Sequence, residues 1–90
     1  MPVTVRIPAP LRPVTGGAST VECSPGTVRD LIDQLDGKYA GFGERVMQDG
    51  ALRRFVNVFV AGDDVRFAEG IETAVKDGQE VTILPAVAGG

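Results

Sequence analysis

One amphipathic segment divides this sequence, and it limits the folds that the chain can adopt. Thr27 can cap the start of a helix, where Asp30 is well placed at the positive end of the helix dipole. Apolar residues then recur at intervals of three and four, which puts them on one face: Val28, Leu31, Ile32 and Leu35. Gly37 is a suitable residue to end this helix. Because a helix with one apolar face must bury it, the rest of the chain has to cover that face.

We predict that the flanking segments cover the apolar face of this helix as β-strands. Residues 3–7 and 19–23 alternate apolar and polar side chains, which indicates a hairpin with a long, Pro-rich loop. Residues 55–60 are an almost unbroken apolar run, typical of a central strand. Residues 80–84 form the predicted last strand. We therefore predict an α+β fold, in which a mixed sheet of four to five strands packs on one main helix.

The segments between these elements are less regular. Residues 38–54 are predicted to form a short helix or turn over the core, anchored by apolar residues: Tyr39, Phe42, Val46, Met47 and Leu52. Residues 65–67 are predicted as a short edge strand and residues 71–75 as one helical turn. Residues 1–84 are predicted to form one domain, and residues 85–90 an extended tail.

Composition excludes several classes of protein. The net charge is −3, and nine basic residues are scattered along the sequence among twelve acidic ones, which argues against nucleic-acid binding. The chain contains no His, so neither a Ser-His or Cys-His pair nor a His-based zinc site is possible, and we expect no metal site. The sequence has neither a signal peptide nor a membrane-spanning run, so we expect a cytoplasmic protein with no membrane partner.

The last ten residues, VTILPAVAGG, carry no charged side chain. Pro85 has no N–H group and is expected to end the pairing of the last strand. An extended tail of about 20 Å follows from the remaining length, and its predicted members are Pro85, Ala86, Val87, Ala88, Gly89 and Gly90. Because Gly89 and Gly90 lack a β-carbon, they can pass through a channel closed to bulkier residues. We predict that this tail enters the active site of a partner and that the Gly90 carboxylate is the reacting group.

Two other groups of polar residues are weaker candidates for a site. Cys23 is the single cysteine and alternates with Val21, so it is predicted to be a buried small residue without a disulfide partner. Asp30, Asp33 and Asp36 are spaced by three on the side of the helix opposite the apolar face, which is typical of a solvated surface rather than a metal site.

The outer face of the sheet offers a candidate docking surface. If the valines of the 55–60 strand face the helix, Phe59 faces outward, and Leu84 does so on the last strand. These two side chains would form an apolar patch bordered by Arg6 and Glu80, beside the root of the tail. Such patches often mark docking surfaces. In the alternative interpretation, the irregular segment 38–54 covers them.

The ending Leu-Pro-Ala-Val-Ala-Gly-Gly resembles the C-termini of the small subunit of molybdopterin synthase and of the thiamine sulfur carrier, the ThiS/MoaD-like family. Over almost its full length, the chain is most similar to the branch of that family that serves thiocarboxylate-dependent cysteine biosynthesis. The segments that carry this similarity are residues 3–5, 7–8, 11–13, 15–17, 54–57, 64–67 and 81–90.

The resemblance implies a ubiquitin-like β-grasp fold and a sulfur carrier rather than an enzyme. It implies that an E1-like adenylyltransferase/sulfurtransferase adenylates Gly90 with ATP and converts it to a thiocarboxylate. A PLP-dependent cysteine synthase would then accept the sulfur, and a metalloprotease would release cysteine from the tail. ATP, PLP and zinc would belong to those partners, and the carrier would bind no cofactor.

Other functions remain open at this point. The chain could be a ubiquitin-like modifier conjugated to lysines, since that activity shares the adenylation step. It could be the small subunit of molybdopterin synthase, which requires a large partner subunit. It could also be a structural domain with an inert end.

Overall fold

The computed structural model describes residues 2–54 and 56–85. Nine strands occur in this part of the chain: β1 Val3–Arg6, β2 Thr20–Cys23, β3 Gly26–Thr27, β4 Met47–Gln48, β5 Ala51–Leu52, β6 Val56–Val60, β7 Asp63–Asp64, β8 Ala74–Val75 and β9 Glu80–Pro85. The helices are α1 Val28–Lys38, α2 Phe42–Val46 and the 3₁₀ turns Ala9–Leu11, Val65–Phe67 and Gly70–Glu72.

Five strands form the main sheet in the order β2-β1-β9-β6-β7. The first and last strands, β1 and β9, are parallel neighbours, and the other adjacent pairs are antiparallel. Two small ladders, β3 with β8 and β4 with β5, lie outside this sheet. A mixed sheet packed on one main helix is the ubiquitin-like β-grasp fold, and the predicted fold class is confirmed.

The core lies between the sheet and α1. Alternate residues of the four longest strands are buried: Val3, Val5, Val21, Cys23, Val56, Val58, Val60, Val81 and Ile83. The predicted apolar face of α1 meets them with Val28, Leu31, Ile32 and Leu35, each at most 4% exposed. Burial of such side chains contributes about 1.5–3 kcal/mol each, so this face fixes the helix on the sheet.

Helix α1 begins as predicted but ends later. The Asp30 N–H donates to Thr27 Oγ1 at 3.2 Å, and the Thr27 N–H donates to Asp30 Oδ2 at 2.9 Å, which is a reciprocal cap. The prediction that Gly37 ends the helix is wrong, because the helix continues to Lys38. The left-handed conformation that often follows a helix occurs instead at Gly41, with φ +89°, where α2 begins.

The predicted short helix in residues 38–54 is confirmed as α2. Phe42 and Val46 are fully buried in the same core as α1, so this helix packs on the helix side of the sheet. Asp36 of α1 accepts a hydrogen bond from the Gly43 N–H at 2.8 Å, which joins the two helices.

Two local predictions need correction. Residues 65–67 form a 3₁₀ turn rather than an edge strand, because Asp64 Oδ1 accepts from the Arg66 N–H at 2.8 Å and caps the turn. The edge strand is the preceding pair, β7. In the segment 71–75, helical turn is limited to Gly70–Glu72, and Ala74–Val75 pairs with β3. The run 55–60 supplies β6, which has a neighbour on each side, as predicted for a central strand. The middle strand of the five is β9.

Within residues 2–54 and 56–85, the helices are too short or too polar to cross a bilayer.

Candidate functional site at the C-terminal strand

The C-terminal strand β9 is held on both of its edges. Val81 pairs with Val5 of β1 on one side and with Val60 of β6 on the other. Val81 and Ile83 are each 2% exposed, so this strand is also fixed to the core. The segment that follows β9 therefore starts from one of the most firmly anchored strands of the sheet.

The strand includes Pro85, one residue beyond its predicted end. Pro85 lies opposite Val56, and the Val56 N–H donates to the Arg53 carbonyl at 3.0 Å. Because Pro85 has no N–H group, it cannot donate to the ladder at this position. The other predicted tail residues lie outside the described part of the chain and stay predictions: Ala86, Val87, Ala88, Gly89 and Gly90.

The predicted docking residues lie on the outer face of the sheet. Arg6 and Phe59 both lie opposite Thr82, so the three form one row across the strands. Leu84 is 47% exposed, two residues further along β9. Arg6 is exposed and pairs with Glu80 at 3.0 Å. Phe59 lies on the outer face as predicted but is half-buried, so Leu84 is the more exposed apolar residue of this patch.

A groove runs along the β1 side of this strand end. It has a volume of about 350 Å³, and Arg6, Pro8, Arg12 and Leu84 contribute to its walls. The Arg12 Nε–H donates to the Ile7 carbonyl at 3.2 Å, which holds the loop after β1 against the groove. Two guanidinium groups therefore lie beside the root of the tail.

Arg66 occupies the β6 side of the same strand end. Its Nη1 donates to Asn57 Oδ1, and its Nη2 donates to the carbonyls of Arg53 at 2.9 Å and Arg54 at 3.3 Å. Asn57 lies directly opposite Leu84. The sequence reasoning missed this role, because no periodic pattern signals a contact between a turn and a segment twelve residues earlier.

Phe67 is a second feature that the sequence reasoning missed. It follows Arg66 and is 92% exposed, whereas Val65 at the start of the same turn is 1% exposed. The buried Val65 and the hydrogen bonds of Arg66 fix this turn, so the aromatic ring is held in solvent. The sequence reasoning missed this arrangement because it predicted residues 65–67 as an edge strand.

Cys23 is buried, as predicted, and lies away from the tail root. It pairs with Val3 at the opposite end of the sheet and is 6% exposed. Burial raises the pKa of its thiol, and the positive charge of Lys38 opposes this effect only in part. A buried neutral thiol is a poor nucleophile.

The helix carboxylates have structural roles. Asp30 caps α1 and Asp36 binds the Gly43 N–H, as described above. No group of three or more potential metal-ligating side chains occurs in the part of the chain that the structure describes.

The fold and this site define a class: a small β-grasp protein whose last described strand, β9, is the middle strand of the main sheet. The ThiS family model matches residues 5–90, and the chain belongs to this family. It is 52% identical over 93 residues to the sulfur carrier protein CysO of Mycobacterium tuberculosis, with 100% of both chains covered.

Solved structures agree with this assignment. The chain matches CysO in the crystal structure of the Amycolatopsis orientalis BexX/CysO complex with a TM-score of 0.93 and 50% identity, covering 98% of this chain and 99% of that one. It matches the crystal structure of Mycobacterium tuberculosis CysO with a TM-score of 0.88 and 49% identity, covering 94% and 99%. The resemblance to this carrier family drawn from the sequence is confirmed.

Proposed function

We propose that this protein is a sulfur carrier that acts through the carboxylate of Gly90. The observation that carries the proposal is the 52% identity, over the full length of both chains, to a sulfur carrier protein. The anchoring of β9 on both edges supports it, because a rigid body can then present the last residues to a partner. The protein is the co-substrate of other enzymes rather than an enzyme.

The chemistry needs two steps at the last carbon atom. The Gly90 carboxylate attacks the α-phosphorus of ATP, which forms an acyl-adenylate and releases pyrophosphate. A hydrosulfide ion then attacks the acyl carbon and displaces AMP, which leaves a thiocarboxylate after loss of one proton. The sulfur of this group is the nucleophile that a later acceptor consumes.

The partners follow from these steps. An E1-like adenylyltransferase/sulfurtransferase supplies the ATP site and the sulfur. In the cysteine route that we propose, a PLP-dependent synthase accepts the sulfur and a zinc metalloprotease releases cysteine from the tail. The tail residues 86–90 enter the active sites of these partners, and the outer-face residues Phe59, Leu84 and Arg6 dock the activating enzyme.

Intact-mass analysis tests the proposal. The purified protein is incubated with ATP, a sulfide source and the E1-like adenylyltransferase of the same organism. We expect a mass increase equal to the exchange of one oxygen for one sulfur, and no increase when Gly90 is deleted. A wild-type mass that stays unchanged while the enzyme adenylates another substrate would contradict the proposal.

Two further observations separate the alternative functions from the carrier. A modifier would appear in cells as conjugates with its C-terminus linked to lysines of other proteins. A molybdopterin synthase subunit would copurify with its large partner. Either result without any thiocarboxylate would replace the carrier assignment.

A further inference from the structure

The sheet topology gathers basic residues at the end where the tail begins. Because β1 is parallel to β9 and β6 is antiparallel to it, the end of β1, the end of β9 and the start of β6 lie at one edge of the molecule. Five of the nine basic residues lie at this edge, and we call them the basic collar: Arg6, Arg12, Arg53, Arg54 and Arg66.

The collar flanks the tail root on both sides. Arg6 and Arg12 line the groove that ends at Leu84. On the other side, Arg66 is bonded to the carbonyls of Arg53 and Arg54, which lie three and two residues before Val56, the residue opposite Pro85. Arg6, Arg12, Arg54 and Arg66 are exposed, whereas Arg53 is half-buried and its Nε–H donates to the Glu44 carbonyl of α2 at 2.7 Å.

The opposite end of the sheet carries carboxylates. Glu22 and Glu80 lie on either side of Thr4, and Asp63 lies opposite Val60. Although the net charge of the chain is −3, five of its nine basic residues therefore lie around its C-terminal exit, where the Glu80 carboxylate pairs with Arg6, whereas Glu22 and Asp63 lie toward the far end. Charge separated in this way orients a protein in the field of a partner.

Exposed apolar side chains lie at the same edge. In the described chain, the large hydrophobic residues with the greatest exposure are Phe67, at 92%, and Leu84, at 47%. Phe67 follows Arg66, and Leu84 is opposite the Asn57 that Arg66 binds. Phe and Arg are among the residue types enriched in protein interfaces.

We propose that the basic collar, with Phe67 and Leu84, docks on a carboxylate-rich rim that surrounds the tail entrance of the activating partner. This inference rests on the proposed function and adds the recognition chemistry. The exposed Arg6–Glu80 pair does not oppose it, because the two side chains are 60% and 49% exposed and such pairs are weak. Arg6 can exchange this carboxylate for one on the partner.

Charge reversal tests the proposal through binding rather than sulfur transfer. The dissociation constant of the E1-like enzyme is measured for the wild type and for Arg12→Glu and Arg54→Glu, one on each side of the tail. Lys76→Glu is the matched control, since it makes the same change in charge at an exposed position before the start of β9. Thermal unfolding of each variant checks its fold.

We expect each collar variant to weaken binding about tenfold at low salt, and Lys76→Glu to change it less than twofold. Added salt should weaken binding of the wild type and have a smaller effect on the variant that carries both Arg12→Glu and Arg54→Glu. Deletion of Gly89 and Gly90 should leave the salt dependence in place, because the collar and not the tail carboxylate creates it.

Two outcomes would overturn the proposal. If Lys76→Glu weakens binding as much as Arg12→Glu and Arg54→Glu do, the affinity depends on net charge alone and not on the collar. Self-association of the wild type at the concentrations used, lost in the collar variants, would assign the surface to a second copy of this chain. If the collar variants lose binding but the wild type never gains sulfur, the proposed function fails and the docking surface stands.

Discussion

Individual carboxylates on α1 accept backbone hydrogen bonds at the start of this helix and from α2. Asp36 accepts a hydrogen bond from the Gly43 N–H, and Asp30 closes the cap with Thr27. Helix periodicity placed both on the polar face, and the position of Asp30 at the start of the helix was readable from the sequence. The partner of Asp36 was not readable, because it depends on how α2 folds back.

Replacement of Asp36 by Ala should lower the free energy of unfolding by about 1 kcal/mol, because the Gly43 N–H loses its acceptor. Asp33→Ala, on the same helix and exposed, is the control and should change stability by less than about 0.5 kcal/mol. Urea unfolding of both variants measures the difference. Equal stabilities would contradict a structural role for the Asp36 contact.

The thiol of Cys23 should react slowly in the folded protein. Because burial raises its pKa, the fraction of thiolate at pH 8 is smaller than in the unfolded chain. Alkylation by iodoacetamide at that pH should be at least about tenfold slower in buffer than in urea. For the same reason, the free energy of unfolding is highest below the pKa that the thiol has in the unfolded chain. It decreases as the pH rises from there through the pKa in the folded protein. Equal rates would refute the buried position.

Phe59 is the residue that tests the outer face. Phe59→Asp should greatly reduce activation of Gly90 because it places a charge on the proposed docking face. Tyr39→Asp is the control, since Tyr39 is also a half-buried aromatic residue but follows α1. Steady-state kinetics of sulfur incorporation separates the two. Normal activation of a folded Phe59→Asp variant would eliminate this face from docking.

The elements with strong periodicity were predictable, and the short ones were not. Helix α1 and strands β1, β2, β6 and β9 each repeat an apolar pattern over four or more residues. Two-residue ladders such as β3 with β8 have no pattern to read, and the turn at residues 65–67 is set by the cap from Asp64. The end of α1 was missed because a glycine was taken as a stop, although it lies within the helix.

Gly37→Ala should therefore stabilise the protein by about 0.5–1 kcal/mol. Gly37 lies in α1, and a β-carbon there would meet nothing within 4 Å. Gly43→Ala is the matched change in α2, where a β-carbon would lie 3.1 Å from Asp36 Oδ1 and strain that contact. Thermal unfolding of the two variants should show a gain for the first and none for the second. A loss at Gly37 would contradict its helical position.

At the scale of the whole molecule, the function depends on where the sheet places its last strand. Parallel pairing of β1 with β9 puts β9 in the middle of the sheet, between the two sides of the basic collar. The terminal glycines, the proline before them and the family resemblance suggested the fold, the tail and the carboxylate that we propose as the reacting group. The scattered arginines gave no such signal, since only the strand order brings them together.

The central claim is that sulfur is carried on the C-terminal carboxylate and not on the cysteine. Cleavage after the two lysines, Lys38 and Lys76, divides the protein into residues 1–38, 39–76 and 77–90. After the sulfur-loading reaction, mass spectrometry of these fragments should find oxygen exchanged for sulfur in residues 77–90, with residues 1–38 unchanged. An added sulfur on the fragment that contains Cys23, with residues 77–90 unmodified, would contradict the account.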